Sequence, residues 1–321
     1  MCPTQVSTSQ LNRLVKEGKA LVESNKIHFI SFAGGPFYTF LARKRMLREL
    51  RNCKIFSSFK VYQPRDLGNF QPNILGKVTE IFRTSPRGFG YWLWKPGIIR
   101  EKLNFIADGD YLLYADVGCE ILNYSESDRI LDEMARTKIL MVWSPNSPNG
   151  FGVKTFGAEE KKWSKKNLIM YLELNEAQKN SRQLGATWIL LRKSELTLEF
   201  VDRWLALCLM ENQRFLTDSV SQMEEDLEFI EHRHDQSVFS CLVKTYETLY
   251  LSETEINVIG EKVEENWIQP RRNFSVFSSK TNSRIITFVN LLSEKAKYLE
   301  IRLMKSKFWR KFLLSLWPNH S

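Results

Sequence analysis

Apolar residues along this chain alternate between helical spacing and short continuous runs, and the alternation itself predicts a fold class. In 10–24, Leu11, Leu14, Val15, Leu21 and Val22 recur at helical intervals and predict an outer amphipathic helix. The run 27–33 is almost wholly apolar and closes on Gly34-Gly35-Pro36, which reads as a first strand and a turn. A helix is expected over 38–50 and a second strand over 55–62, ended by Pro64-Arg65-Asp66. Strand, helix, strand in that order implies a parallel sheet. The next strand follows the turn Gly109-Asp110 and runs through Tyr111-Leu112-Leu113-Tyr114-Ala115 to Asp116. A short apolar run bounded by turn residues is what a strand buried on both faces looks like. Further along, a helix is expected over 127–137, strands over 139–143 and 186–192, and a helix beginning at Ser194. Residues 144–167, rich in Pro, Asn, Gly and Lys, read as a long loop.

A length of 321 residues accommodates one large α/β domain, placed here at 27–265, with the helix of 1–26 before it. The formal charge of +9 raises the question of nucleic acid, but its distribution answers it. Residues 281–321 hold eight Lys and Arg against two Glu, so about two thirds of the excess belongs to a tail. No nucleic-acid partner is therefore expected. The tail reads as a basic amphipathic helix, and 303–317, with Trp309 and Trp317 among cations, suits an anionic membrane surface. A helix packed on the domain with its basic side in water accounts for the same pattern. Five scattered cysteines without a C-x-x-C pair suit a reducing compartment. With no signal-like N-terminus and no run long enough to span a bilayer, a cytoplasmic location is expected, at most against the inner face of a membrane.

Three stretches carry candidate chemistry. In open α/β sheets ligands gather beyond the carboxyl ends of the strands, which is where Asp116 falls. If the strand continues, its period of two puts Asp116, Gly118 and Glu120 on one face, and carboxylates beside a glycine suit a hard divalent cation carrying a diphosphate. A strand that stops at an Asx turn explains the same residues. Residues 87–99 combine Arg87, Gly88, Gly90, the four aromatics Phe89, Tyr91, Trp92 and Trp94, Lys95 and Pro96. A helix starting there would favour an anion, with Arg87 and Lys95 adding charge and Trp94 able to stack on a base or sugar; aromatic core packing is the competing account. One of the cations of 38–50, such as Arg43, could reach a phosphate lying against Phe32, Ala33 and the glycine turn. The third stretch is Glu231-His232-Arg233-His234-Asp235-Gln236, where extended backbone would put both imidazoles on one side and Asp235 could cap the following helix.

In this order, Arg-Gly-Phe-Gly-Tyr-Trp-Leu-Trp-Lys-Pro, Gly-Asp-Tyr-Leu-Leu-Tyr-Ala-Asp-Val-Gly-Cys-Glu and His-Arg-His-Asp-Gln-Ser resemble the sugar-nucleotide-dependent glycosyltransferases of the GT-A fold. The resemblance covers roughly 27–250. It implies a Rossmann-type α/β/α sandwich with a mostly parallel central sheet, a donor half (27–125), an acceptor half (126–265) and a C-terminal helical tail. It further implies a nucleotide-diphosphate sugar as donor, a glycan or lipid-linked acceptor, and Mn²⁺ or Mg²⁺. Asp116 resembles the family's metal- or ribose-contacting acid, while Gly118 stands where many relatives carry a second Asp. Glu120, His232 or His234 would then complete the metal site. Asp235 with Gln236 resembles the motif near the transferred sugar, and Gly185-Ala186 the point of close approach beside it. In such a reaction a cation, Arg87 and Lys95 would stabilise the departing diphosphate. Two other functions fit parts of the pattern: a metal-dependent phosphoesterase built on Asp116, His232, His234 and Asp235, and a non-catalytic basic protein binding glycan or nucleic acid through Tyr91, Trp92 and Trp94.

Overall fold

The computed structural model describes residues 26–34, 38–69, 72–84, 87–122, 139–141, 159–221, 223–246 and 268–269, with 139–141 as backbone. The helices expected over 10–24 and 127–137, the strand residues 142–143 and the basic tail lie outside the described residues. Five strands form the main sheet: β1 (Ile27–Phe32), β2 (Phe56–Tyr62), β3 (Tyr111–Ala115), β5 (Ile139–Met141) and β6 (Trp188–Arg192). Their order is β2-β1-β3-β6-β5. β1 pairs in parallel with both β2 and β3, and β6 runs antiparallel to β3 and to β5. Four strands therefore share one direction and β6 opposes them, an open and mostly parallel α/β sheet.

Every residue of β1 and β3 is buried, which explains why both read as apolar runs without alternation. Their starts are pinned by Asp110, which accepts from Lys26 N at 2.9 Å and pairs with His28 at 3.1 Å. The helices are α1 (Tyr38–Asn52), α2 (Pro72–Thr84), α3 (Trp94–Asn104), α4 (Glu160–Trp163), α5 (Lys166–Tyr171), α6 (Glu176–Asn180), α7 (Glu195–Leu209) and α8 (Asp235–Val243). α7 begins as the sequence predicts: Ser194 Oγ accepts from Thr197 N while Thr197 Oγ1 accepts from Ser194 N, a reciprocal cap. α3 begins two residues before Pro96, and the first turn tolerates proline because its N–H groups lack helical acceptors. α4 and part of α5 occupy the end of the stretch expected to be loop. Buried Trp188, Trp204 and Phe239 anchor the centre, each contributing about 2–3 kcal/mol through burial.

Two expectations about the Asp116 strand fail. The chain does not continue as β3; Cys119 N donates back to Asp116 O at 2.8 Å, closing a turn. Glu120 then enters a separate pair, β4 (Glu120–Ile121) with β7 (Ile268–Gln269). The turn is held from behind by Arg45, wholly buried, which donates to Val117 O and Cys119 O at 2.9 Å each and to Glu49. Nothing in the spacing of 38–50 singles out Arg45 among its cations as the buried one. No helix among the described residues is long and apolar enough to cross a membrane.

Candidate functional site

At the carboxyl edge of β1 and β3 lie the ends of three further elements: the start of β6, the start of α3 and the start of α8. They meet on one side chain. Lys95, wholly buried in the first turn of α3, places Nζ 2.7 Å from Asp235 Oδ2, 3.0 Å from Ala186 O and 3.6 Å from Asp116 Oδ1. Asp116 and Asp235, remote in sequence, thus share one ammonium. Their settings differ. The Asp116 side chain is 36% exposed and accepts from the Tyr114 hydroxyl, whereas the Asp235 side chain is only 5% exposed.

Burial drives the electrostatics of this trio. It pushes Asp235 up to about 6, with Lys95 pulling down and Asp116 pushing up. Burial also works against the charge on Lys95, but Asp116 and Asp235 outweigh it and hold the ammonium above its ordinary range. Tyr114 is raised well above the usual phenol value, first by burial and then by Asp116, so it stays a donor. Gln236 completes the frame: its Nε2 donates to Gln183 Oε1 at 2.8 Å and its Oε1 accepts from Ala186 N at 3.5 Å. The Ala186 peptide is thereby held at both ends, beside buried Gly185.

The segment before α3 has a conformation that composition alone does not reveal. Gly88, Phe89, Gly90, Tyr91 and Trp92 all have positive φ, from 52° to 86°, and make one left-handed helical turn with Tyr91 N bonded to Arg87 O and Trp92 N to Gly88 O. Each non-glycine residue there costs roughly 1–2 kcal/mol. Packing compensates: Phe89 lies 4.3 Å from Phe82, and Trp94 stacks on Phe32 at 3.9 Å while donating Nε1–H to Gly88 O. The Phe32 and Trp94 rings cover each other and are almost fully buried, so Trp94 offers no open face to a base. Ala33 is buried as well, its N–H bonded to Tyr62 O at 2.8 Å. The expected anion-binding helix start is likewise enclosed, since Trp94, Lys95, Pro96 and Gly97 are all buried. Lys95 faces two acids and a carbonyl, not an outside ligand. Arg87 is different: half-exposed, it lies 3.8 Å from Asp218 and 3.8 Å from Glu231. Arg43 is half-buried within α1, its strongest charge neighbours being Arg65, Asp66 and Arg51.

Both imidazoles of the third stretch face the 215–216 carbonyls. His232 Nε2 donates to Phe215 O at 2.8 Å and its Nδ1 accepts from Lys165 N at 3.3 Å, so neither nitrogen remains for a ligand. Burial pushes it well below the usual imidazole range. His234 donates Nδ1–H to Leu216 O at 2.8 Å, and burial brings it down to about 4. His234, not Asp235, is the N-cap residue of α8, and it makes no side-chain cap. Asp235 instead turns inward to Lys95, as the first residue of the helix.

These placements test the expected Mn²⁺ or Mg²⁺. Glu120 is sealed in the interior on the Glu49 side, and its charge helps raise that acid, itself raised chiefly by burial. Gly118 is buried within the Asp116 turn and supplies no ligand atom from a side chain. Between Asp116 and Asp235 the position of a shared cation is taken by the Lys95 ammonium. Among the described residues no group of three or more His, Cys, Asp or Glu is gathered as an ion would require. The donor set therefore does not fit a divalent ion at this position, and the phosphoesterase alternative loses its metal cluster. Of the three rings that a glycan- or nucleic-acid-binding protein would use, Tyr91 and Trp94 are buried and Trp92 is half-buried.

A buried network missed by the sequence reading supports the site from below. Glu160, fully buried, pairs with Lys244 at 2.7 Å and accepts from Ser164, Ser240 and Gln183. Nothing in the local spacing of Glu160 or Lys244 marks them, because their partners are some eighty positions apart. No protein-family model matches the chain, and no curated protein matches it.

Proposed function

We propose that the protein is a glycosyltransferase of GT-A type, moving a sugar from a nucleotide-diphosphate donor to a glycan or lipid-linked acceptor. One observation carries the reading: Asp116, at the end of a central strand, and Asp235, at the start of α8, converge on buried Lys95 at the carboxyl edge of the sheet. That edge is where open α/β sheets take nucleotides. The ordered motifs that resemble the family are the same stretches that meet there.

In the proposed reaction the bond from the anomeric carbon to the diphosphate oxygen breaks, its electron pair leaving with the diphosphate, and the oxygen of an acceptor hydroxyl bonds to that carbon and gives its proton to the departing diphosphate. Asp116, open on its outer side, accepts hydrogen bonds from donor hydroxyls. The trio carries two carboxylates against one ammonium, so it keeps a net negative field toward the carbon that becomes positive. Lys95 is a positioning residue, holding both acids and the Ala186 peptide in place. Arg87 is the cation with room to meet the departing diphosphate. No step is assigned to a metal.

Thermal shift against a panel of nucleoside diphosphates tests the reading first. At least one is expected to stabilise the protein, by about 2.7 kcal/mol at a hundredfold excess over Kd. Asp116→Asn is expected to lower release of that diphosphate from its sugar conjugates by about 100-fold or more while keeping the fold. A protein indifferent to every diphosphate is not a transferase of this kind.

A further inference from the structure

At the amino ends of β1 and β3, away from the carboxyl edge, a serine, a histidine and an aspartate form a chain of hydrogen bonds. His28 Nδ1 lies 2.7 Å from Ser58 Oγ, and His28 Nε2 lies 3.1 Å from Asp110 Oδ2. Lys102, reaching over from α3, donates from Nζ to Ser58 Oγ at 3.1 Å. The sheet register brings the serine and the imidazole together. β1 and β2 pair Ile27 with Phe56 and then His28 with Ser58, a slip of one residue. Without that slip Ser57 would stand opposite His28, and Ser58 would point to the other face of the sheet. Bulges of this kind re-aim a side chain and are frequent next to active sites.

The partners at both ends of the chain fix which group donates. A carboxylate only accepts, and Asp110 is held in that form. Burial works against its charge, but the bonds from Lys26 N, His28 and Ala107 N outweigh it and keep it below the ordinary carboxyl range. His28 therefore carries its proton on Nε2 and turns the Nδ1 lone pair toward Ser58. An ammonium only donates, so the Ser58 oxygen receives Lys102 and sends its own proton to Nδ1. The result is a hydroxyl with a base at its proton, an acid orienting that base and a cation on its oxygen. That is the arrangement that makes a serine a nucleophile. Ser58 and Lys102 are half-buried while His28 and Asp110 are nearly covered, so the serine end of the chain is the one that meets solvent.

We propose that Ser58, His28 and Asp110 form a serine-hydrolase site for small activated carboxylic esters, separate from the site at the carboxyl edge. Ser58 Oγ bonds to the ester carbonyl carbon as its proton passes to His28 Nδ1, and the carbonyl π electrons move onto oxygen, where the Lys102 ammonium offsets the charge. As the carbonyl re-forms, the leaving alkoxide departs with the electron pair of the ester bond and takes the proton from His28. Water then attacks the acyl-serine with His28 as base, which releases the acid and restores the Ser58 hydroxyl. Asp110 is a positioning residue that holds the ring in its tautomer. One ammonium, in place of a pair of backbone donors, limits the substrates to esters with good leaving groups.

A fluorophosphonate probe, which bonds to activated serines with loss of fluoride, tests the site on the full chain, with the labelled residue located by peptide mass spectrometry. Labelling of Ser58 is expected on the native protein and is expected to vanish in urea. Hydrolysis of p-nitrophenyl acetate is expected to fall to the rate of the unfolded chain in Ser58→Ala and by about 100-fold or more in His28→Gln, with melting temperature monitored for both. Asp110→Asn, whose amide donates to Nε2 and reverses the tautomer, is expected to lower kcat by about 100-fold or more while KM stays as in wild type. Native protein unlabelled at Ser58, equal labelling of the native and unfolded chains, or ester hydrolysis undiminished in Ser58→Ala overturns the assignment. The assay contains no nucleotide, so a failed diphosphate thermal shift removes the transferase reading alone.

Discussion

Lys95→Met isolates the energetics on which the site depends. The change keeps length and approximate volume and deletes the charge. Lys95 is wholly buried, and its partner Asp235 is nearly so, 2.7 Å away. Removing one member of a buried pair leaves the other charge without compensation, which costs about 3–5 kcal/mol. Asp116, partly in water, contributes the smaller share because its charge stays solvated. The loss has a pH signature. Asp235 already has a folded value of about 6 against its ordinary 3.8, and without Lys95 burial drives it higher. A carboxyl whose folded value is raised binds more protons folded than unfolded, so the stability tied to it is fully present below the unfolded value and lost as pH rises through the folded value. The deficit of Lys95→Met relative to wild type should therefore be small near pH 4 and grow toward pH 8, with a slope reaching about 1.4 kcal/mol per unit. Urea unfolding followed by circular dichroism at several pH values measures it. The double variant Lys95→Met/Asp235→Asn should recover about 2 kcal/mol of the loss at neutral pH, because it removes the stranded charge. A deficit under about 1 kcal/mol, or one that does not change with pH, refutes the reasoning.

Three other perturbations separate parts of the structure. Gly88→Ala forces a side chain onto φ of +58°, with its Cβ 2.2 Å from the Trp92 ring; a loss of about 2 kcal/mol or more is expected in the same unfolding assay, and wild-type stability would disprove the left-handed turn. Glu160→Ala strands buried Lys244 and should cost about 3–5 kcal/mol, while the affinity for any nucleoside diphosphate that binds stays as in wild type; a coupled loss of affinity would place Glu160 in the site itself. His232→Gln removes a ring whose two nitrogens serve backbone groups and should lower stability by about 1–3 kcal/mol equally with EDTA and with Mn²⁺; stabilisation by Mn²⁺ that vanishes in the variant would restore His232 as a metal ligand.

Local pattern determined much of this protein. The apolar runs at 27–33 and 109–116 specify strands because residues buried on both faces are mostly apolar, His28 and Ser31 being the polar members of β1, and Ser194 with Thr197 marks a helix start by its own hydrogen bonds. Asp116 was legible as a candidate because a lone acid closing such a strand has few other places to be. Direction was not legible. Lys95 was visible as a cation near glycines, yet only the fold turns it from an outside anion toward Asp235, Ala186 and Asp116. The spacing of His232 and His234 put both rings on one side, but the acceptors that occupy His232, and the carbonyl that leaves His234 Nε2 bare, come from 165 and from 215–216. Arg45 and Glu160 carried no signal, since a charged residue on a helix is usually solvated unless a distant segment covers it. Periodicity reports which side of an element faces inward. What waits there is set by contacts between segments far apart in sequence, where burial multiplies the strength of each charge and hydrogen bond.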